Sequence, residues 1–272
     1  MLRLGWFSTG RGPGSRNLLK AVMDKKEQEG LDVEISFVFC NWDNDEEDNP
    51  KRDQRAVFFD MVRGYGIPLV TVSWKKFRPD LWASDQTAWR DEYGRALREA
   101  VSPYPFDLGI LAGYMLWMDD ETCRCFDMLN LHPALPDGPK GTWQEVIWQL
   151  ISEDADRQGA MMHICTEDWD RGAALTYCGF PIKGEGYDPL WGEARARIAA
   201  EGFDNVRKDQ ELPLFKKIRE DGARRELPLI VSTIREFAEG RVTIRDKRLY
   251  DRDGPIDGPY DLSAQVDRTL GV

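Results

Sequence analysis

The chain contains no run of eighteen apolar residues, so nothing in it reads as a membrane-spanning helix and no membrane partner is expected. Its start, Met1-Leu-Arg-Leu-Gly-Trp-Phe7, moves into a strand pattern without the long apolar region of a secretory signal. A basic block is also missing: 48 Asp and Glu outnumber 37 Lys and Arg, for a net charge of −11 over 272 residues. A nucleic-acid binder needs a cationic face to neutralise phosphates, so nucleic acid is disfavoured as a partner. Histidine occurs twice and cysteine five times. An odd cysteine count without secretory features implies free thiols in a reducing compartment, and the expected location is the cytoplasm. Cys123 and Cys125 with His132 make an incomplete ligand set, lacking a second Cys pair or a His pair, so no metal is expected.

What the chain does have is 42% hydrophobic residues, enough to bury a sizeable core in one large domain or a domain with an appendage. Residues 2–8 read as a first strand. A glycine-rich turn follows, Thr9-Gly10-Arg11-Gly12-Pro13-Gly14-Ser15-Arg16-Asn17, leading into an amphipathic helix from about Asn17 to Gln28. Strand, glycine turn and helix start is how α/β proteins hold a phosphate, through backbone N–H groups and the positive helix end. The turn is not the dinucleotide fingerprint, because Ser15 stands where the third glycine belongs, and a plain tight turn is the alternative. Leu31 to Cys40 alternates as a second strand, and the acidic stretch Asn41 to Arg52 reads as a solvated loop. Helices from about Arg55 to Tyr65 and Thr87 to Val101, with a short strand Pro68 to Val72 between them, continue the alternation. Phe106 to Gly113 is an apolar strand ending in glycine. The following Tyr114-Met115-Leu116-Trp117 makes one wall of an apolar slot, or is simply core.

Chemistry concentrates in two later stretches. Met128 to Leu131 reads as a short buried strand, ended by the proline-studded turn His132-Pro-Ala-Leu-Pro136, so that Asn130 and His132 alternate outwards on one side. Ala160 to Thr166 is another strand, and its exit loop carries Glu167, Asp168 and Asp170, which can bring a carboxylate near that imidazole. Amide, imidazole and carboxylate form a set that handles protons and stabilises an oxyanion. A lone strand-end histidine is more often structural, and Asp170 alone would be an ordinary turn acid; the presence of both stretches raises each. His163, in mid-strand, is either a core group or a neighbour of the site.

At these residues the sequence resembles the folate-dependent formyltransferases. Asn130-Leu-His132-Pro133 and His163-Ile-Cys-Thr166-Glu-Asp-Trp-Asp170-Arg-Gly172 stand in that family's order and separation. The loop Leu111-Ala-Gly113-Tyr-Met-Leu116 resembles the one bordering the family's pterin pocket, with Leu116 where arginine is common, and Ala173 to Pro181 resembles the strand after the catalytic Asp. The likeness runs from about residue 1 to 182. Residues 183–210 look like an insertion, either covering the site or a surface excursion. Leu212 to Gly240 reads as a long helix or pair before a small hairpin, Arg241 to Tyr250.

The resemblance implies an α/β, Rossmann-like formyltransferase fold: a mostly parallel twisted sheet flanked by helices, with a C-terminal helical extension and hairpin (183–272) packed on a 1–182 core as one domain. It implies Asn130, His132 and Asp170 as catalytic residues and His163 behind them. Gly10, Arg11, Gly12, Gly14, Ser15, Asn17 and Arg90 would hold the substrate phosphate, and Met115, Leu116, Trp117, Thr166 and Glu167 the folate. The implied co-substrate is 10-formyltetrahydrofolate, without a metal. The implied acceptor is a small phosphorylated amine, glycinamide ribonucleotide of purine biosynthesis first among them. Glu220 and Ala223 stand where the family's acceptor-binding helix offers Gln and Glu. Another amine, an amino sugar among them, therefore stays open, as do hydrolysis of the folate and a non-enzymatic nucleotide-binding role. A homo-oligomer is likewise left open.

Overall fold

Runs of alternating apolar residues and amphipathic stretches give alternating strands and helices along the chain. The computed structural model describes residues 1–44, 51–168, 171–208 and 210–272. Its elements are β1 (Leu2–Ser8), α1 (Pro13–Glu29), β2 (Val33–Cys40), α2 (Arg52–Gly64), β3 (Leu69–Thr71), α3 (Pro79–Ser84), α4 (Gln86–Val101), β4 (Leu108–Leu111), α5 (Asp120–Cys125) and β5 (Met128–His132). They continue with α6 (Trp143–Ser152), β6 (Arg157–Ile164), β7 (Ala174–Pro181), α7 (Asp188–Glu201), α8 (Phe203–Lys208), α9 (Pro213–Ala238), β8 (Thr243–Arg245), β9 (Arg248–Asp251), β10 (Gly254–Pro255), β11 (Tyr260–Asp261) and α10 (Ser263–Leu270). The chain divides into two compact units, residues 1–131, 163–173 and 230–257, and residues 132–162, 174–229 and 258–272. Among the described residues no helix is long and apolar enough to cross a membrane.

In the first unit the strands run β5-β4-β1-β2-β3, all paired in parallel and flanked by helices, the Rossmann-like class expected. β1 lies in the middle, and from Leu4 onward it is buried, as befits a strand covered on both faces. Phe7 meets the edges of Phe37 and Phe106 at centroid distances of 5.5 and 6.2 Å. A fully buried ring such as Phe7 or Phe37 contributes roughly 1.5–3 kcal/mol. α4 adds Trp89, Tyr93, Leu97 and Val101 to the same cluster. Its Gly94 permits close approach to Asp119, since a Cβ there would lie 1.7 Å from Oδ2. Asp119 caps α5, accepting from the Thr122 N–H at 3.1 Å, and pairs with Arg98 of α4 at 2.7 Å. The predicted hairpin is present and gains a strand, forming an antiparallel sheet in the order β10-β9-β8.

In the second unit the order is β11-β7-β6, with β11 parallel to β7. α6 starts on a capping box, Thr142 and Glu145 bonding each other's backbone N–H groups. It buries Trp148, which stacks on Phe215 of α9 at 4.8 Å. α7 and α8 fall in the segment expected as an insertion. They bury Trp191, Ala194 and Val206 in this core, so 183–210 is a packed part of the unit and not a polar surface excursion.

Several predicted boundaries move. α1 begins at Pro13 instead of Asn17, because proline at the first helical position brings its φ already set and needs no N–H there. β6 covers Arg157–Ile164 instead of Ala160 to Thr166. It ends where the Cys165 N–H turns to the Met128 carbonyl at 2.8 Å. Asn41 and Trp42 are 2% and 8% exposed, against the solvated loop expected from Asn41 onward; residues 45–50 of that stretch lie outside the described residues. Helices α3 and α5 were not expected: each is only six residues long, too short for a 3.6-residue period to show. α9 is a single helix despite Pro228 within it.

Candidate active site

The carboxyl end of β5 is the kind of place where open α/β sheets bind ligands. Asn130, opposite Leu111 in register, sits there half-buried. Its Nδ2 lies 3.0 Å from His163 Nε2, and His163 Nδ1 lies 3.0 Å from the carbonyl of Ile164. A carbonyl can only accept, so Nδ1 carries a proton and Nε2 accepts from the Asn130 amide. His163, 1% exposed, is thus a buried group and also the residue that orients Asn130.

Asn130 and His163 form the polar end of a small open cleft of about 40 Å³, lined also by Leu111, Tyr114, Leu116, Trp117, Met118, Cys165 and Thr166. An apolar wall with a few convergent polar groups is the make-up of a small-molecule site. The loop after β4 makes the apolar wall. Gly113 takes φ 70° at its turn, the Thr9 N–H donates to the Gly113 carbonyl at 3.1 Å, and the Met115 N–H donates to Thr9 Oγ1 at 2.9 Å. The exit of β1 therefore pins this loop. Burial pushes the Tyr114 phenol far above its ordinary value, so the ring stays neutral. Trp117 is 43% exposed, and the Arg90 guanidinium lies over its ring at 4.3 Å. That cation–π contact contributes about 0.5–1 kcal/mol at an exposed site.

The remaining expected residues are placed as follows. Leu116, Trp117 and Thr166 line the cleft; Met115 is 39% exposed and does not. Glu167 is on the surface, paired with Arg124 at 2.6 Å. His132, expected to point outwards, is 3% exposed in the second unit, because the proline-rich turn folds back and the Pro139 carbonyl accepts from its Nε2 at 3.0 Å. Asp170 lies outside the described residues. In the glycine turn, Gly10 needs its φ of 65°, and a Cβ there would crowd Phe58 at 3.0 Å. Cβ atoms on Gly12 or Gly14 would meet nothing within 4 Å. Gly14, Ser15 and Asn17 belong to α1 and not to a loop. That helix has no side-chain N-cap bond and no acid in its first turn, so side chains leave its N-terminal amides uncapped. Arg11 is exposed beside them.

Leu111, Met118 and Cys165 also line the cleft without having been singled out. For Cys165 the signal was available: period-two alternation puts it on the same side as His163.

Fold and cleft together define a Rossmann-like α/β protein with a partly apolar cleft at the end of its strands. The sequence model of the formyl transferase family matches residues 12–187, more than half of the chain, and the chain belongs to that family of folate-dependent formyltransferases. The family uses formyl-tetrahydrofolate as co-substrate. Among solved structures the chain is similar to glycinamide ribonucleotide transformylase 1 from Symbiobacterium toebii, at 22% identity and TM-score 0.63, covering 92% of this chain and 94% of that one. It is also similar to the phosphoribosylglycinamide formyltransferase of Coxiella burnetii, at 17% identity and TM-score 0.65, covering 95% and 99%. A formyltetrahydrofolate deformylase from Pseudomonas syringae pv. tomato matches at 18% identity and TM-score 0.60, covering 92% of this chain and 65% of that one. Curated protein sequences give no match. At these identities the solved structures speak to the fold.

Proposed function

We propose that the protein transfers the formyl group of 10-formyltetrahydrofolate to the primary amine of a small phosphorylated acceptor, with glycinamide ribonucleotide the first candidate. The observation that carries this reading is the Asn130 amide, oriented by His163 at the end of an apolar slot within the family-matched region. The pterin lies against Tyr114, Leu116 and Trp117. Arg90, stacked on Trp117, serves the donor end of the cleft and not the phosphate. The phosphate is held at the start of α1 by backbone N–H groups, with Gly12 and Gly14 leaving room for it.

In the reaction the acceptor amine attacks the formyl carbon, and the carbonyl becomes a tetrahedral oxyanion. An N–H of the Asn130 amide stabilises that charge, and the resemblance to the family assigns His132, two residues on in sequence, a part in the same step. Collapse breaks the bond to the folate nitrogen. Asp170 and a water carry the amine's proton to that nitrogen, releasing formylated amine and tetrahydrofolate. The names of the Symbiobacterium and Coxiella proteins support the acceptor. A second reading, water attacking in place of the amine, is favoured by the likeness to the deformylase and by Glu220 and Ala223 on the acceptor-side helix.

The test is incubation with 10-formyltetrahydrofolate and glycinamide ribonucleotide, following tetrahydrofolate and formylated product together. Stoichiometric formation of both is expected. Tetrahydrofolate with formate and no formylated amine moves the function to hydrolysis. Folate binding without turnover moves it to another amine.

A further inference from the structure

We propose that Cys123 and Cys165 form an oxidisable dithiol, which a peroxide converts to a disulfide in the wall of the cleft. Their sulfur atoms lie 3.8 Å apart, and a bond closes that gap to about 2.05 Å. The two come from separate elements. Cys123 sits on α5 with its N–H on the Asp119 carbonyl at 3.1 Å, and Cys165 follows β6 with its N–H on the Met128 carbonyl at 2.8 Å. Each amide is anchored by that bond, and closing the gap draws the Cys165 segment slightly towards α5. Access is asymmetric: Cys165 lines the cleft and is half-buried, whereas Cys123 is 2% exposed behind it. A small oxidant entering the cleft meets Cys165 first, with the resolving thiol already in place.

The chemistry balances in two steps. The Cys165 sulfur attacks one peroxide oxygen, the O–O bond breaks, and sulfenic acid and one water form. The Cys123 sulfur then attacks the Cys165 sulfur, the S–O bond breaks, and a second water leaves as its proton is taken up. Two thiols lose two electrons and the peroxide gains them. The thiolate is the reacting species, so a raised pKa slows each of the other three thiols. Burial pushes Cys40 up to about 11 and Cys178 up to about 12. Cys125 is exposed, but partial burial and its hydrogen bond to Glu121 raise it too. Cys165 lies between His163 and Thr166, so drawing it towards α5 moves the segment that orients Asn130. The consequence for ligand binding rests on the formyl-transfer reading; the dithiol itself does not.

The full chain is treated with hydrogen peroxide, alkylated, and read by mass spectrometry. Expected are an intact mass lower by two hydrogens before alkylation, two of the five thiols lost to alkylation, and a reducible peptide joining Cys123 to Cys165. In Cys123→Ser, Cys165 is expected to accumulate as sulfenic acid captured by a dione probe. Thiol loss without the linked peptide, or a link through Cys125 instead, overturns the pair. Folate affinity, read from tryptophan quenching, is expected to fall about tenfold or more on oxidation and to return on reduction. Unchanged affinity in linked protein overturns the effect on the cleft. A reduced protein that binds no folate counts against the formyl-transfer reading while the linked peptide still stands.

Discussion

Replacing Asp119 by alanine tests what holds α4 against α5. The Asp119 side chain is 1% exposed and its partner Arg98 21%. Oδ1 accepts from Arg98 Nη1 at 2.7 Å and from the Thr122 N–H at 3.1 Å, and Oδ2 accepts from the Thr122 hydroxyl. Truncation removes an N-cap worth roughly 0.5–2 kcal/mol. It also leaves Arg98 without its counter-charge, a loss of about 3–5 kcal/mol for a fully buried pair. Arg98 keeps some solvent and a bond to Thr122 Oγ1 at 2.6 Å, which moves the sum to its lower end, about 3.5 kcal/mol. Asp119→Asn separates the two parts, since asparagine caps as well as aspartate but carries no charge; it should cost about 1–2 kcal/mol. Urea titrations followed by circular dichroism and tryptophan fluorescence should show the midpoint falling with an unchanged slope. A loss below about 1 kcal/mol for Asp119→Ala would refute the role of the buried pair. Equal losses for the two variants would refute the role of the cap.

His132→Ala should lower kcat about 10²–10⁴-fold with little change in folate affinity, since the imidazole is assigned to the transition state; near-normal turnover removes it from the mechanism. His163→Ala should cost up to about 10²-fold in kcat through a misplaced Asn130 amide, with KM for the folate changing less. His163→Gln, which can still accept from that amide, should recover much of the loss, and equal damage in both variants would make His163 merely structural. Gly12→Val meets open space, so its urea midpoint should match the parent protein while the KM for the acceptor rises and folate affinity holds; an unchanged acceptor KM moves the phosphate elsewhere. Burial pushes Asp221 up, but Lys217 at 2.8 Å and the Tyr187 hydroxyl at 2.7 Å outweigh it and hold the carboxyl below its ordinary value. A depressed folded pKa gives stability that is present above about pH 3.9 and lost as pH falls through the folded value. The urea midpoint should therefore drop more steeply as pH is lowered below about 4 in the parent protein than in Asp221→Asn, and equal slopes would contradict this.

Much of the architecture is written in short windows of sequence, where alternation and helical periodicity act locally. β1, β2, the helix ending at Val101, the strand at Met128 and the loop at Tyr114 to Trp117 could all be placed from such windows. So could the family, because Asn130-Leu-His132-Pro and the His163 to Gly172 stretch carry it as residue order. Only the tertiary structure decides what a side chain meets. His132 alternates with Asn130 in sequence, yet it is buried under the Pro139 carbonyl, because the turn beyond Pro133 folds back on it. The segment 183–210 is polar in composition, and its few large apolar residues are core because α6 and α9 supply a surface to bury them. His163 holds Asn130, and Cys165 meets Cys123, across 33 and 42 residues. No local window contains both partners of such a contact. Strand register and helix packing bring them together, and these are settled by burying the whole apolar surface at once.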